Sequence, residues 1–395
     1  MQKKQIFSHK IFVSTILSVI LATCLFTMQA LAASHNADLE NIQVKITKLE
    51  NGGIEKLTPE FTPKKTNYTI QVKNQIKDIQ FRVCPNSSRS KVELNQKQIP
   101  FYRWRYDTLV PGNNIFNFKV TAPDKQTQKI YKVNIVREDI QQLINKYLKF
   151  IYNDAETGYT MPYRLFIPEN SNNKKYPLVL FLHGGSARGT DNEKQLSRNY
   201  GATIWARPEE QAKRPCFVLA PQAHPKNELN PFIEQTGFGN TRDKEGNRNM
   251  DKLFVPSEDL KLAVKVLEKV IKDYNVDTKR LYVTGLSQGG FGTWIINTEH
   301  PNIFAAMVPI CGGGDPLQAK KIVKKPIWAF HAAADPVIAV SYSRNMINAL
   351  RKLGGKPNYI EYPYGTTILP YEHSSQTLAY DNLQMREWLF KQVKK

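Results

Sequence analysis

Near residue 157 the spacing of the apolar side chains changes, and that change divides the chain into two architectures. Before it, apolar residues recur at every second position: Tyr68, Ile70 and Val72, then Ile79, Phe81 and Val83, then Phe116, Phe118 and Val120, then Tyr131, Val133 and Ile135. A period of two places all of a strand's apolar groups on one face, so these runs predict antiparallel strands with one side buried. Pro63-Lys64-Lys65, Pro85-Asn86-Ser87-Ser88, Pro111-Gly112-Asn113-Asn114 and Ala122-Pro123-Asp124-Lys125 read as the turns between them. The expected product is a small antiparallel β-sandwich over residues 39–138. After the change, strands become unbroken apolar runs: Leu178 to Leu182, Phe217 to Ala220, Leu281 to Thr284, Ala305 to Ile310 and Ile327 to Phe330. Strands apolar on both faces suit a parallel sheet covered by helices on both sides. The clearest helical pattern runs from Asp259 to Tyr274, with Ser257 placed to cap it. Residues 153–395 therefore read as a doubly wound, mostly parallel α/β sheet. Between the two lies a stretch in which Ile140, Leu143, Ile144, Tyr147, Leu148 and Ile151 recur at helical spacing, predicting a linker helix over 139–152.

Residues 1–32 have the layout of a secretory signal: Lys3, Lys4 and Lys10, an apolar run from Ile11 to Leu31, and Ala30-Leu31-Ala32 where a peptidase cuts. A membrane anchor is the rival reading, because the run approaches the length of a bilayer span. Cys24 follows Thr23, which makes a poor lipidation site. The expectation is an exported protein, extracellular or held at the cell surface, with no stable membrane insertion after cleavage. Cys84, Cys216 and Cys311 would then remain, an odd number that argues for a fold held by its core rather than by a disulfide framework.

The formal net charge is +20, and removal of the leader's three lysines leaves the chain strongly basic. The lysines are spread along the sequence with no block of five or six, so most of this charge reads as solvated surface. Nucleic acid is not an expected partner; an anionic cell-wall polymer or glycan surface is the secondary reading. Phe101, Tyr102, Trp104 and Tyr106, interleaved with Arg103 and Arg105, suit either a sugar-stacking platform or an aromatic strand with one face in the core.

Gly285-Leu286-Ser287-Gln288-Gly289 follows directly on a strand and precedes a helix. A serine at such a sharp junction projects its hydroxyl, and flanking glycines give the turn room. A hydroxyl is a weak nucleophile and needs a base that is itself held by a carboxylate. Asp335, after the strand ending at Phe330, and His373, after the strand Tyr359 to Tyr362, supply these in the order Ser, Asp, His. Asp315 is the alternative acid; His183, His224, His300 and His331 read as packing or hydrogen-bonding groups. Acyl chemistry also needs N–H groups aimed at the developing oxyanion. The Gln288 amide, at a helix start, and the Gly185 amide in His183-Gly184-Gly185-Ser186 are the expected donors. There is no His/Cys cluster at ligand spacing and no phosphate-cradling loop, so no metal or other cofactor is expected.

Two resemblances extend this reading. The first segment is similar to cadherin-like β-sandwich modules of bacterial exported proteins, on Phe61-Thr62-Pro63, Asn67-Tyr68-Thr69-Ile70, Gly112-Asn113-Asn114 and the strand Lys129 to Ile135. That likeness implies a spacer or surface-binding role. From about Gly158 onward the chain resembles plant-biomass-degrading and polyhydroxyalkanoate-depolymerase-like esterases of the α/β-hydrolase superfamily. The matching stretches are Leu182-His183-Gly184-Gly185, Arg188-Gly189-Thr190-Asp191-Asn192, Ala220-Pro221-Gln222, Tyr282 to Gly290, Pro309 to Pro316 and Asp335-Pro336-Val337. This implies a serine carboxylesterase acting on small-molecule or polysaccharide esters, acetyl or feruloyl groups among them. The chain lacks the family's aromatic shortly after the base, reading His373-Ser374-Ser375-Gln376-Thr377. The long polar loop from Ala223 to Pro256, with Phe232, Phe238 and Phe254, is expected to shape the pocket. Two other readings stay open: a prolyl-oligopeptidase-like peptidase with the same triad, and an exported glycan-binding adhesin with an inactive hydrolase domain.

Overall fold

The computed structural model describes residues 34–46, 54–55, 57–74, 76–198, 200–225, 254–364, 373 and 375–394. The leader, Phe232 and Phe238 of the long loop, and Ser374 lie outside the described residues. The chain divides into two units, one ending at Glu138 and the other starting at Asp139.

In the first unit the alternating residues do what their period requires. Tyr68, Ile70, Val72, Ile79, Phe81, Val83, Phe116, Phe118, Val120, Tyr131, Val133 and Ile135 are all buried between two sheets. Phe81 anchors the core, with its ring 4.5 Å from that of Phe116 and 5.2 Å from that of Phe118. One sheet runs in the order Ile54–Glu55, Leu39–Ile46, Asp78–Pro85, Arg105–Thr108. The other runs Asn67–Val72, Gln128–Arg137, Gly112–Thr121, Lys91–Leu94, Lys97–Gln98. Two details depart from the sequence reading. Asn67–Val72 pairs parallel with Gln128–Arg137, a direction that alternation cannot encode because it fixes a strand's face and not its partner. Gly112, Asn113 and Asn114, expected as turn, already belong to a strand. The Asn114 side chain donates to the carbonyls of Val110, Gly112 and Ile135 and stitches the strand start in place. The aromatic cluster does not fill the core: Tyr102 and Tyr106 are exposed, and Trp104 lies under the Arg82 guanidinium, 5.0 Å from its ring centre.

The second unit carries one sheet of eight strands: β1 (Leu148–Asn153), β2 (Thr160–Phe166), β3 (Tyr176–Leu182), β4 (Phe217–Pro221), β5 (Val276–Leu286), β6 (Ala306–Ile310), β7 (Trp328–Ala332) and β8 (Asn358–Tyr362). Their spatial order is β1-β2-β4-β3-β5-β6-β7-β8, with β2 antiparallel to both neighbours and the rest parallel. Both faces are covered, as the unbroken apolar runs require. Leu178, Leu180, Leu281 and Val283 pack against Leu260, Leu267 and Trp294 on one side. Val179, Phe181 and Tyr282 pack against Trp205, Tyr380 and Leu389 on the other. The helix Glu258–Asp273 starts where Ser257 accepts the Leu260 N–H at 3.1 Å. The chain leaves β3 for β4 on one side and returns to β5 on the other. In such open sheets this reversal opens a crevice beyond the carboxyl ends of the strands.

The linker helix over 139–152 is not formed as expected. Helix extends only from Gln141 to Ile144, and Leu148–Asn153 is β1, antiparallel to β2. Nearly every residue from Tyr147 to Tyr152 is apolar, so the stretch satisfies both periods; β2 offers a free edge, and pairing wins. Ile151, assigned to the buried helix stripe, is 63% exposed as a result.

Because Phe118 is wholly buried against Phe81, Phe118→Ala should cost the sandwich about 3–5 kcal/mol. Denaturant unfolding followed by near-ultraviolet circular dichroism measures this, and a change under 1 kcal/mol would contradict the core assignment.

Candidate active site

The site grows from the junction of β5 and the helix Gln288–Glu299, and Ser287 is that junction. Its backbone sits at φ 55° and ψ −117°, a conformation that costs a non-glycine residue about 1–3 kcal/mol and needs surrounding structure to hold it. The surroundings do so. The Ser287 N–H donates to the Ile310 carbonyl at 3.1 Å and reaches the Cys311 sulfur at 3.3 Å. The Ser287 carbonyl accepts from Phe291 N–H and opens the helix. The spacing of glycines follows from close approach: any Cβ on Gly289 would strike the Leu182 carbonyl at the end of β3. One on Gly285 would meet the backbone of Gly289 itself. The turn is thus wedged between β3 and β6.

Asp335 and His373 meet, although 38 residues separate them. The His373 Nδ1 lies 2.7 Å from Asp335 Oδ2, and the other carboxylate oxygen accepts the N–H groups of Val337 and Ile338, each at 2.9 Å. Burial alone would raise the carboxyl's proton affinity. Hydrogen bonds from His331 and His373 and from the Ile338 amide reverse this and hold it well below the usual carboxylate range. The carboxylate is therefore a fixed negative charge beside the imidazole. For His373, burial disfavours the imidazolium, but the Cys311 sulfur and the Asp335 carboxylate more than offset that. Its proton affinity is raised. Donor atoms of Cys311, Asp335 and His373 all lie within 4.8 Å of one another, and Cys311 in turn touches Ser287. The structure thus gathers the serine, the histidine and Asp335 around one sulfur atom; among the described residues the Ser287 hydroxyl makes no hydrogen bond.

Asp315 takes a different job: it caps the turn Pro316–Ile322 by accepting the Leu317 N–H at 2.9 Å. Of the other histidines, His183, His224 and His331 are held by hydrogen bonds of their rings. His300 ends the helix and is exposed. His224 lies 2.7 Å from Asp259. His331 is buried against Ser343 and the Ile338 carbonyl, within the loop that presents Asp335. His183 is wholly buried at the end of β3, and burial lowers its proton affinity to about 4. A neutral ring can donate from Nδ1 to the Gly184 carbonyl at 2.7 Å and accept the Ala223 N–H on Nε2 at 2.9 Å. This fastens the glycine turn to the end of β4.

Two residues that sequence reasoning left without a role belong to this neighbourhood. Cys311 stood in the sequence as one of three dispersed cysteines and as part of the esterase-like stretch Pro309 to Pro316; all three are free thiols here. Arg188 donates from Nε to Gln288 Oε1 at 2.8 Å, and that oxygen lies 3.2 Å from where a Gly185 Cβ would stand. The Gln288 side chain therefore fills the space that a side chain at Gly185 would enter, and Arg188 holds it there. In the sequence Arg188 stood only as the first residue of the esterase-like stretch Arg188 to Asn192, with no role attached.

A model described as the cadherin-like beta sandwich domain matches residues 39–138, and one described as the prolyl oligopeptidase family matches residues 256–321, which include Ser287. The chain is similar to the crystal structure of a thermostable esterase, with 32% identity and a TM-score of 0.56. That match covers 90% of this chain and 91% of the other. It is 32% identical over 83 residues to a bifunctional acetylxylan esterase/xylanase of Neocallimastix patriciarum, and 28% identical over 138 residues to poly(3-hydroxyalkanoate) depolymerase C of Paucimonas lemoignei. These matches take in 21% and 35% of this chain, and only 12% and 28% of the respective relatives' lengths.

Gly289→Ala should cost about 1–3 kcal/mol or more of stability and about 10²-fold in ester turnover, because the Leu182 carbonyl cannot yield without moving β3. A variant with the parent's melting temperature and rate would mean that the turn is not under this constraint.

Proposed function

Because the chain belongs to the α/β-hydrolase esterases and carries a cadherin-like β-sandwich ahead of its hydrolase unit, we propose that it is an exported serine carboxylesterase working through an acyl-enzyme at Ser287. One observation carries the reading: the forced backbone of Ser287 holds this residue beside the Cys311 sulfur, next to the Asp335–His373 pair. In the proposed reaction the Ser287 hydroxyl attacks the ester carbonyl as His373 takes its proton. The N–H groups of Gln288 and Gly185 receive the oxyanion. Collapse of the tetrahedral intermediate expels the alcohol, which recovers the proton from His373. Water then repeats the sequence on the acyl-enzyme. Asp335 keeps the imidazole in the tautomer that presents a basic nitrogen and stabilises its charged form.

The substrate proposed is an ester of a polysaccharide, acetyl or feruloyl, in keeping with the acetylxylan esterase among the relatives. The basic surface and the exposed Tyr102 and Tyr106 of the sandwich suit a glycan or an anionic wall polymer as the surface on which it works. Export rests on the leader pattern of residues 1–32.

A second reading, a peptidase with the same triad, is favoured by the match of residues 256–321 to the prolyl oligopeptidase family. Comparing acetyl, feruloyl and longer acyl esters with a peptide anilide separates the two. Esters should be cleaved far faster, and a preference for the anilide overturns the choice. In the same assay Ser287→Ala should lose about 10⁶-fold in kcat and all fluorophosphonate labelling while its unfolding free energy stays within about 0.5 kcal/mol of the parent. Labelling that survives would place the nucleophile elsewhere.

A base must be neutral to accept a proton, so a raised imidazole affinity moves the loss of activity to higher pH. The acid limb of kcat/KM should have its midpoint above about pH 6.5, the ordinary histidine value. A midpoint at or below that value would show that burial, not the Cys311–Asp335 pair, sets the affinity of His373.

A further inference from the structure

Cys311, Asp335 and His373 are too far apart in sequence to show a ligand spacing, yet the fold brings a thiol, a carboxylate and an imidazole to one point. We propose that these three side chains form a reversible binding site for a borderline, thiol-seeking divalent cation of the zinc class, and that its occupancy switches the hydrolase off. The donor set is the one such ions prefer, sulfur, nitrogen and oxygen together. With metal–ligand bonds of about 2.0–2.3 Å, the donors of a tetrahedral ion stand roughly 3.5 Å apart. Here all three lie within 4.8 Å of one another and His373 Nδ1 is 2.7 Å from Asp335 Oδ2, so shifts of about 1 Å, the sulfur inward and the imidazole–carboxylate pair apart, reach that spacing. A second observation concerns the sulfur itself. It sits 3.3 Å from the Ser287 N–H, a contact that fixes its place beside the imidazole and the carboxylate. The Cys311 and Asp335 side chains are wholly buried, whereas His373 keeps 20% exposure, so an ion reaches the site past the imidazole edge. Three protein ligands leave a fourth position for water.

Binding releases the thiol proton and gives up the hydrogen bond between His373 and Asp335. The ion then holds the group that the proposed function uses as its base. This second half of the inference rests on that reading; the binding itself does not.

The full chain is titrated with Co²⁺, whose thiolate complexes show a near-ultraviolet charge-transfer band, and assayed for ester hydrolysis in Zn²⁺, with Mg²⁺ as an oxygen-seeking control. Parent protein should develop the cobalt band and lose activity to Zn²⁺, with recovery on chelation, while Mg²⁺ does neither. Cys311→Ser should lack the band, and its half-inhibiting Zn²⁺ concentration, measured against its own metal-free rate, should rise at least about tenfold. If that variant does not fold, His373→Ala keeps the thiol and should bind Co²⁺ at least about tenfold more weakly. Absence of the band in the parent, or equal Zn²⁺ sensitivity in parent and Cys311→Ser, overturns the site. A cobalt band without Zn²⁺ inhibition overturns the switch and counts against His373 as base. An inactive His373→Ala with no band in the parent removes the metal site and leaves the catalytic reading standing.

Discussion

The catalytic unit depends on one tight contact, the seating of the Ser287 turn between the carboxyl ends of β3 and β6. The serine backbone is held at a positive φ by an N–H shared between the Ile310 carbonyl and the Cys311 sulfur. The helix that follows leaves no room for a side chain at Gly289, which lies on the Leu182 carbonyl. Strain of about 1–3 kcal/mol at one residue is small against the burial of the sheet's two faces, where single side chains such as Trp205, Trp294 and Tyr282 are wholly enclosed. The core therefore sustains the strain that the Ser287 backbone carries.

Three histidines near the strand ends show how environment divides one residue type into different tasks. His183 is wholly buried, its ring set between the Gly184 carbonyl and the Ala223 amide, and burial lowers its proton affinity, so it stays a neutral staple. His331 is equally buried, but its partners are Ser343 and the Ile338 carbonyl, with Asp335 Oδ2 3.5 Å away; it shapes the loop that carries the acid. Of these three, His373 is the one that combines partial exposure with a carboxylate at hydrogen-bonding distance; His224 has the same pairing with Asp259 but lacks the Cys311 sulfur beside Ser287. That arrangement is the one the proposed role of His373 as base requires.

Much of this was legible in the sequence, and the parts that were not have physical reasons. Period-two alternation found the buried residues of the sandwich because a strand's faces are set locally. It could not show that Asn67–Val72 runs parallel to its neighbour, since direction depends on the path of the whole chain. The stretch from Tyr147 to Tyr152 misled because uniform apolarity fits a helix and a strand alike, and the edge of β2 decided between them. Ser287, Asp335 and His373 stood out because each follows a recognisable strand. Cys311 and Arg188 did not: their significance lies in what the fold sets beside them, a histidine from beyond β8 and a glutamine 100 residues away.

Cys311 ties these threads together. It closes β6 with a backbone bond from its N–H to the Phe330 carbonyl of β7, and its own backbone takes a positive φ of 40°. That twist sends the sulfur under the nucleophile instead of into the sheet. A hydrocarbon side chain there would fill the space, but it could neither accept the Ser287 amide nor raise the affinity of His373 for a proton. The polarisability that lets the sulfur accept the Ser287 amide is also what the proposed binding of a soft cation draws on. An enzyme that used a thiol in this position would therefore gain a firmly held serine and a stronger base, and with them a sensitivity to metal that a serine or alanine at position 311 would not confer.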